Sequence, residues 1–141
     1  MEMLHTVAGT LKAGMGLKKD FDVTRTHTAR SVGSGGLEVL ATPVLIEWVE
    51  NAAYEMVSLC MADEQTTVGV KVDIDHVAAT PVGMKVRVIV TLTEVDNRKL
   101  TFKVEARDTV QVIATGTHVR YVVNKTKFME KVLTKREQDQ Q

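Results

Sequence analysis

The clearest periodicity in the chain lies between Thr42 and Cys60. Leu45, Trp48, Val49, Ala52, Ala53, Met56, Leu59 and Cys60 recur at i, i+3, i+4 and i+7 spacing, with Glu47, Asn51, Glu55 and Ser58 on the opposite side. This pattern predicts one amphipathic helix with a single apolar face. Thr42 suits the N-cap and Pro43 the first helical position, and the helix is expected to fade near Ala62-Asp63.

On either side the period changes to two. Phe21 and Val23 alternate with Asp22 and Thr24, which predicts a strand over residues 18–28. Beyond the helix, Val68, Val70, Val72 and Ile74 alternate with Gly69, Lys71, Asp73 and Asp75. Val86, Val88, Val90 and Leu92 form a second set, and Leu100, Phe102, Val104 and Ala106 a third, with a turn at Asp96-Asn97 between them. A last strand is expected from about Val110 to Val123, where Gly116 marks a bulge or a close backbone approach.

Residues 1–17 are weakly patterned and read as a loosely held arm with room for one short helix. Ser31-Val32-Gly33-Ser34-Gly35-Gly36 is expected to be the most flexible stretch, and residues 125–137 a short basic helix or tail. The expected organisation is an arm over 1–17, one domain over 18–130 and a C-terminal tail over 131–141. A strand, a long helix and four strands joined by short turns make an α+β domain, with one helix laid on an antiparallel sheet.

Composition narrows the function classes. The 141 residues suit one domain, and 44% are hydrophobic, enough for a core. Lys plus Arg number 18 and Asp plus Glu 18, so the basic excess of a nucleic-acid partner is missing. A single cysteine, Cys60, allows no intramolecular disulfide and fits a reducing, cytoplasmic setting. No membrane partner is expected, since no apolar run approaches a spanning length and the N-terminus lacks the pattern of a signal peptide.

Cys-x-x-Cys, His-Glu-x-x-His, Gly-x-Ser-x-Gly and phosphate-cradling loops are all absent, and the four histidines lack metal spacing, so no metal site is expected. Three residues stand out by position. Glu50 borders the apolar helix face, either as an ordinary border glutamate reaching for water or as a partly desolvated base. His76 continues the Val68–Ile74 face to the strand end, either as a hydrogen-bonded core histidine or as a donor or proton carrier. Thr42 either only caps the helix or stands where free N–H groups could meet a developing oxyanion.

Leu40-Ala41-Thr42-Pro43 leading into a helix with Glu50 resembles the fluoroacetyl-CoA thioesterase family of hot-dog proteins. Asp75-His76-Val77-Ala78-Ala79-Thr80-Pro81-Val82-Gly83 and Gly116-Thr117-His118-Val119-Arg120 resemble two further segments of that family, and the likeness spans roughly residues 18–130. The resemblance implies a hot-dog fold, a central helix wrapped by an antiparallel sheet, and a homodimer with sites at its interface. It implies catalysis by Thr42, Glu50 and His76, with Gly69 and Arg120 near the acyl group. The substrate would be a short acyl-CoA thioester, hydrolysed without a separate cofactor, coenzyme A being part of the substrate. The fluoroacetyl-specific member has a phenylalanine-rich lid, whereas Gly33-Ser34-Gly35-Gly36-Leu37 here holds no aromatic residue, which points to a broader or different acyl group.

Two other readings remain open on sequence. A hot-dog hydratase or dehydratase would pair a histidine with an acid on one helix, and the central helix here has no histidine. A non-catalytic acyl-CoA-binding module would keep the pocket alone.

Overall fold

The computed structural model describes residues 3–6 and 9–140. Strands β1 (Met3–Thr6) and β2 (Gly9–Lys12) pair as a small antiparallel ribbon. Then follow β3 (Gly16–Asp22), a 3-10 turn at Arg25–His27, α1 (Ala29–Val32) and the long helix α2 (Thr42–Ser58). Strands β4 (Gln65–His76), β5 (Lys85–Asp96), β6 (Lys99–Arg107) and β7 (Val112–Asn124) lead to α3 (Lys125–Asp139). The main sheet is antiparallel throughout and runs β3-β5-β6-β7-β4, with β3 and β4 at its edges.

The helix and sheet patterns dictate the core. Val44, Leu45, Trp48, Val49, Ala52, Ala53, Met56 and Val57 of α2 are buried against the sheet. They meet Val86, Val88, Val90 and Leu92 of β5 and Leu100, Phe102, Val104 and Ala106 of β6, all buried. Fully burying one such side chain is worth about 1.5–3 kcal/mol, which is why alternation rather than propensity fixes the register. The ring of Trp48 stacks on Phe21 at 4.7 Å and meets the edge of His27 at 5.0 Å, closing the core at the start of α2. Asn97, at φ 57°, occupies the two-residue turn between β5 and β6.

Several expectations need correction. The helix ends at Ser58, so Leu59 leaves the apolar face and is 73% exposed. The segment ahead of β3 carries no helix among the described residues: β1 and β2 occupy it, and Leu11 is fully buried. The glycine-rich stretch starts as a helical turn, in which the N–H groups of Gly33, Ser34 and Gly35 converge on the Ala29 carbonyl. Gly33 caps this turn at φ 81°, a left-handed conformation suited to glycine. Gly116 marks a close approach and not a bulge, since a Cβ there would collide with the Asp73 carbonyl oxygen of β4.

The register breaks elsewhere: in β5 between Leu92 and Glu94, in the β6–β7 pairing where Ala106 and Arg107 meet Ala114 and Val112, and, beside the site, in β4 between Gly69 and Lys71. Val70 is the extra residue of this β4 bulge and is 53% exposed, although alternation with Val72 and Ile74 alone would put it on the covered face. The bulge also changes parity. Gly69 and His76 are seven apart, and a regular strand would send them to opposite faces. Here both face α2.

Candidate active site

Two clusters form along α2. The first lies at its N-terminus. Ala41, in extended conformation, is the N-cap, and Thr42 is the first helical residue with Pro43 behind it. Thr42 is therefore not the capping side chain. Its hydroxyl instead lies 2.7 Å from Nδ1 of His76, at the end of β4. Nε2 of His76 is buried and has no hydrogen-bond partner among the described residues. Burial pushes the His76 pKa down, and the Ala78 backbone works the other way. The ring is thus neutral near pH 7, with one nitrogen engaged by Thr42 and the other available.

This pair borders a groove of about 690 Å³. Val39, Leu40, Ile46, Val77 and Ala78 give it an apolar lining, and Ser34 of the glycine-rich stretch stands at its side. Its lining holds no Phe, Tyr or Trp. The segment after His76 is fastened to the segment before Thr42: Leu40 N–H donates to the Thr80 carbonyl at 2.8 Å. The Thr80 hydroxyl in turn donates to Asp108 at 3.0 Å.

The second cluster lies two turns further along α2. The Glu50 carboxylate is 3.5 Å from Nη1 of Arg120, whose side chain is 6% exposed against 44% for Glu50. Arg120 donates through Nε to the Thr67 hydroxyl at 2.9 Å and through Nη2 to the Thr67 carbonyl at 3.1 Å. Burial pulls the Arg120 pKa below its ordinary value, and the Glu50 charge opposes that. Gly69 fits between them because it has no side chain: a Cβ would stand 2.8 Å from Oε2 of Glu50 and 3.1 Å from Nη1 of Arg120.

The structure therefore brings Thr42 to His76, and Glu50 to Gly69 and Arg120, but does not unite the two groups within one chain. Eight helical residues separate Thr42 from Glu50, about 12 Å along the axis. Glu50 is also less buried than a desolvated base would require of a single chain. Sequence reasoning passed over Thr67 and His118 as site residues. His118 is fully buried, with Nδ1 2.7 Å from the Lys71 carbonyl and Nε2 3.3 Å from Nη1 of Arg120. The available signal was its spacing of two from Arg120, which puts both on one face of β7. Among the described residues no group of histidines, cysteines and carboxylates could hold a metal ion, and no helix is long and apolar enough to cross a membrane.

Comparison with known proteins gives the setting of this geometry. The family model described as fluoroacetyl-CoA-specific thioesterase matches residues 23–126. The fluoroacetyl-CoA thioesterase of Streptantibioticus cattleyicolor is 35% identical over 98 residues, covering 70% of each chain. A crystal structure of the fluoroacetyl-CoA thioesterase FlK superposes with a TM-score of 0.83 at 30% identity, over 89% of this chain and 97% of that one. A thioesterase-superfamily protein of Thermus thermophilus has a TM-score of 0.80 at 22% identity, covering 92% of this chain and 94% of its own, and shares the fold. Together the sheet order, the helix and these matches show that the chain belongs to the fluoroacetyl-CoA-specific thioesterase family, hot-dog hydrolases of acyl-CoA thioesters.

Proposed function

We propose that this acyl-CoA thioesterase hydrolyses short acyl groups without marked preference for fluoroacetyl, in sites that two protomers of a cytoplasmic homodimer build together. The observation that carries the reading is the division of Thr42 and His76 from Glu50 along α2. A base or nucleophile must come within roughly 3 Å of its target. Glu50 of one chain and the Thr42–His76 pair of the other satisfy that demand if the two helices meet across an interface. The β4 edge is a free twelve-residue strand beside both clusters, and pairing it with a second copy would remove an exposed edge. The same contact would cover the half-exposed Glu50 carboxylate.

In this mechanism Glu50 attacks the thioester carbonyl or takes the proton of an attacking water. The carbonyl oxygen becomes an oxyanion, held by a hydrogen bond from Nε2–H of His76 and by the helix N-terminal amides, while the Thr42 hydroxyl donates to Nδ1 and so keeps the ring in that tautomer. Collapse breaks the C–S bond, and the coenzyme A thiolate leaves and takes up a proton; where Glu50 is the nucleophile, the acyl group stays on its carboxylate as a mixed anhydride that a water then hydrolyses to the free acid, and where water attacks, the acid forms in this step. A FlK variant has been crystallised with fluoroacetate and CoA, which supports an acyl-CoA ligand in the corresponding place here. The groove's lining and the glycine-rich stretch beside it offer no phenylalanine ring to grip a small fluorinated acyl group.

Thiol release over a panel of acyl-CoA esters tests the reading. Comparable kcat/KM on acetyl-, propionyl- and fluoroacetyl-CoA is expected. A strong preference for fluoroacetyl-CoA over acetyl-CoA would reject the specificity, and absence of thiol release across a broad panel would reject hydrolysis.

A further inference from the structure

We propose that His118 is a positioning residue of the hydrolytic site: as the neutral tautomer protonated on Nδ1, it joins the β4 bulge to Arg120 and so fixes the Glu50 carboxylate. The inference rests on the reading of Glu50 as a hydrolytic group.

Two hydrogen bonds determine the protonation state. The Lys71 carbonyl can only accept, so Nδ1 of His118, 2.7 Å away, carries the proton. A guanidinium can only donate, so Nε2 of His118, 3.3 Å from Nη1 of Arg120, presents its lone pair. One protonation state satisfies both contacts. The Phe102 ring, stacked at 6.0 Å and 28°, backs the imidazole plane.

The charged groups facing His118 are Arg120 on its own strand and Glu50 from α2. Strand β4 contributes the Lys71 carbonyl and β6 the Phe102 ring. Burial pushes the His118 pKa down; the Lys71 carbonyl opposes this, Arg120 adds to it and Glu50 opposes it more weakly. A second proton would set an N–H of the ring against an N–H of the guanidinium.

The contacts have a geometric consequence. Arg120 holds Thr67 and His118 holds Lys71, so the two β7 side chains bracket the bulge that sets Gly69 against Glu50. Nη1 of Arg120 lies between His118 and Glu50. Loss of the acceptor at His118 would free that end of the guanidinium to turn away from the carboxylate. Glutamine offers both a donor and a strong acceptor, while methionine fills similar space with no donor and only a weak thioether acceptor.

The experiment compares His118→Gln and His118→Met, each in the native and Arg120→Lys backgrounds, using the best substrate of the acyl-CoA panel and a thermal melt. His118→Met is expected to lower kcat by about tenfold or more, as misplaced reacting groups do. KM should move by less than about threefold, because His118 lines no part of the groove beside Thr42 and His76. His118→Gln should recover most of the rate. In the Arg120→Lys background, His118→Met should cost less than about twofold, because residues acting through one contact are not additive. Equal losses in both backgrounds, or a folded His118→Met enzyme of native kcat, would overturn the proposal. Nitrogen NMR of the imidazole at pH 7 reads the same question without a variant: a protonated Nδ1 and a bare Nε2 are expected, and the opposite tautomer would overturn it. Glu50→Gln run alongside separates the two layers. Full activity there rejects both readings, whereas loss there beside a native-like His118→Met rejects the role of His118 alone.

Discussion

Gly69 stands where any side chain would press on Glu50: a Cβ there would lie 2.8 Å from Oε2 of that carboxylate. The obstructed atom is the end of a flexible side chain, so the fold can survive by moving Glu50 aside. Gly69→Ala is therefore expected to fold normally and to lose about tenfold or more in kcat, the cost of a misplaced group. Gly116→Ala should show the reverse emphasis. Its Cβ would collide with the Asp73 carbonyl and stand 2.8 Å from Ile74 Cα, both backbone atoms of the neighbouring strand. A destabilisation of about 1–3 kcal/mol or more is expected there. Melting curves and initial rates on both variants check the contrast, and a fully active Gly69→Ala enzyme would remove the position of Glu50 from the account.

Thr42 offers a similar separation of stability from chemistry. An N-capping threonine replaced by a residue that cannot cap costs about 1 kcal/mol. Thr42 makes no capping bond, because Ala41 holds the N-cap position and the hydroxyl is turned to His76. Thr42→Val should melt close to the native protein and still lose about 10²-fold in hydrolysis, the scale for losing one oxyanion donor, because the ring of His76 is no longer held by the hydroxyl on Nδ1. Because the His76 pKa is lowered, the ring stays neutral at pH 7 and gains its proton only below its ordinary value of 6.5. Activity should accordingly hold at neutral pH and fall on acidification below 6.5. A rate that rises as the pH drops through that range would contradict a neutral His76.

Asp108 braces Thr80, whose carbonyl links the segment after His76 to the segment before Thr42. Its carboxylate accepts from Val110 N–H at 2.8 Å, Gln111 N–H at 3.0 Å and the Thr80 hydroxyl at 3.0 Å. Burial pushes the carboxyl pKa up, but these three donors, with Arg107 adding to them, outweigh it and leave the pKa below the ordinary value. The unfolded carboxyl titrates near 3.9, so this contribution is complete above about pH 4–5 and is lost as the pH falls through the lower folded pKa. Asp108→Ala should cost about 1–3 kcal/mol, leaving the Val110 and Gln111 amides to seek water. Denaturant unfolding at pH 7 and pH 3 tests this. A penalty that does not shrink at the lower pH would mean the charge is irrelevant.

The helix and the sheet were legible because their burial is periodic. Trp48, Val49, Ala52 and Ala53 repeat as a helix face must, and Val86 through Leu92 repeat as a strand face must. The bulge at Val70 was not legible, since Val68-Gly69-Val70 reads as unbroken alternation and only pairing with β7 reveals the extra residue. Thr42 was placed at the N-cap for a related reason. Threonine is a common cap, and a partner 34 residues away in sequence competes for its hydroxyl only after folding. His118 looked like one of four scattered histidines until β7 set it beside Arg120 and Lys71.

The division of the site between two chains is the central claim, and subunit complementation tests it most directly. Thr42→Ala and Glu50→Gln proteins are each inactive, or nearly so, on this account. Random exchange between equal amounts makes half the dimers mixed, and each mixed dimer then carries one intact site, so about a quarter of native activity should return. No recovered activity after verified exchange, or a stable monomer at micromolar concentration by light scattering, would contradict the shared site.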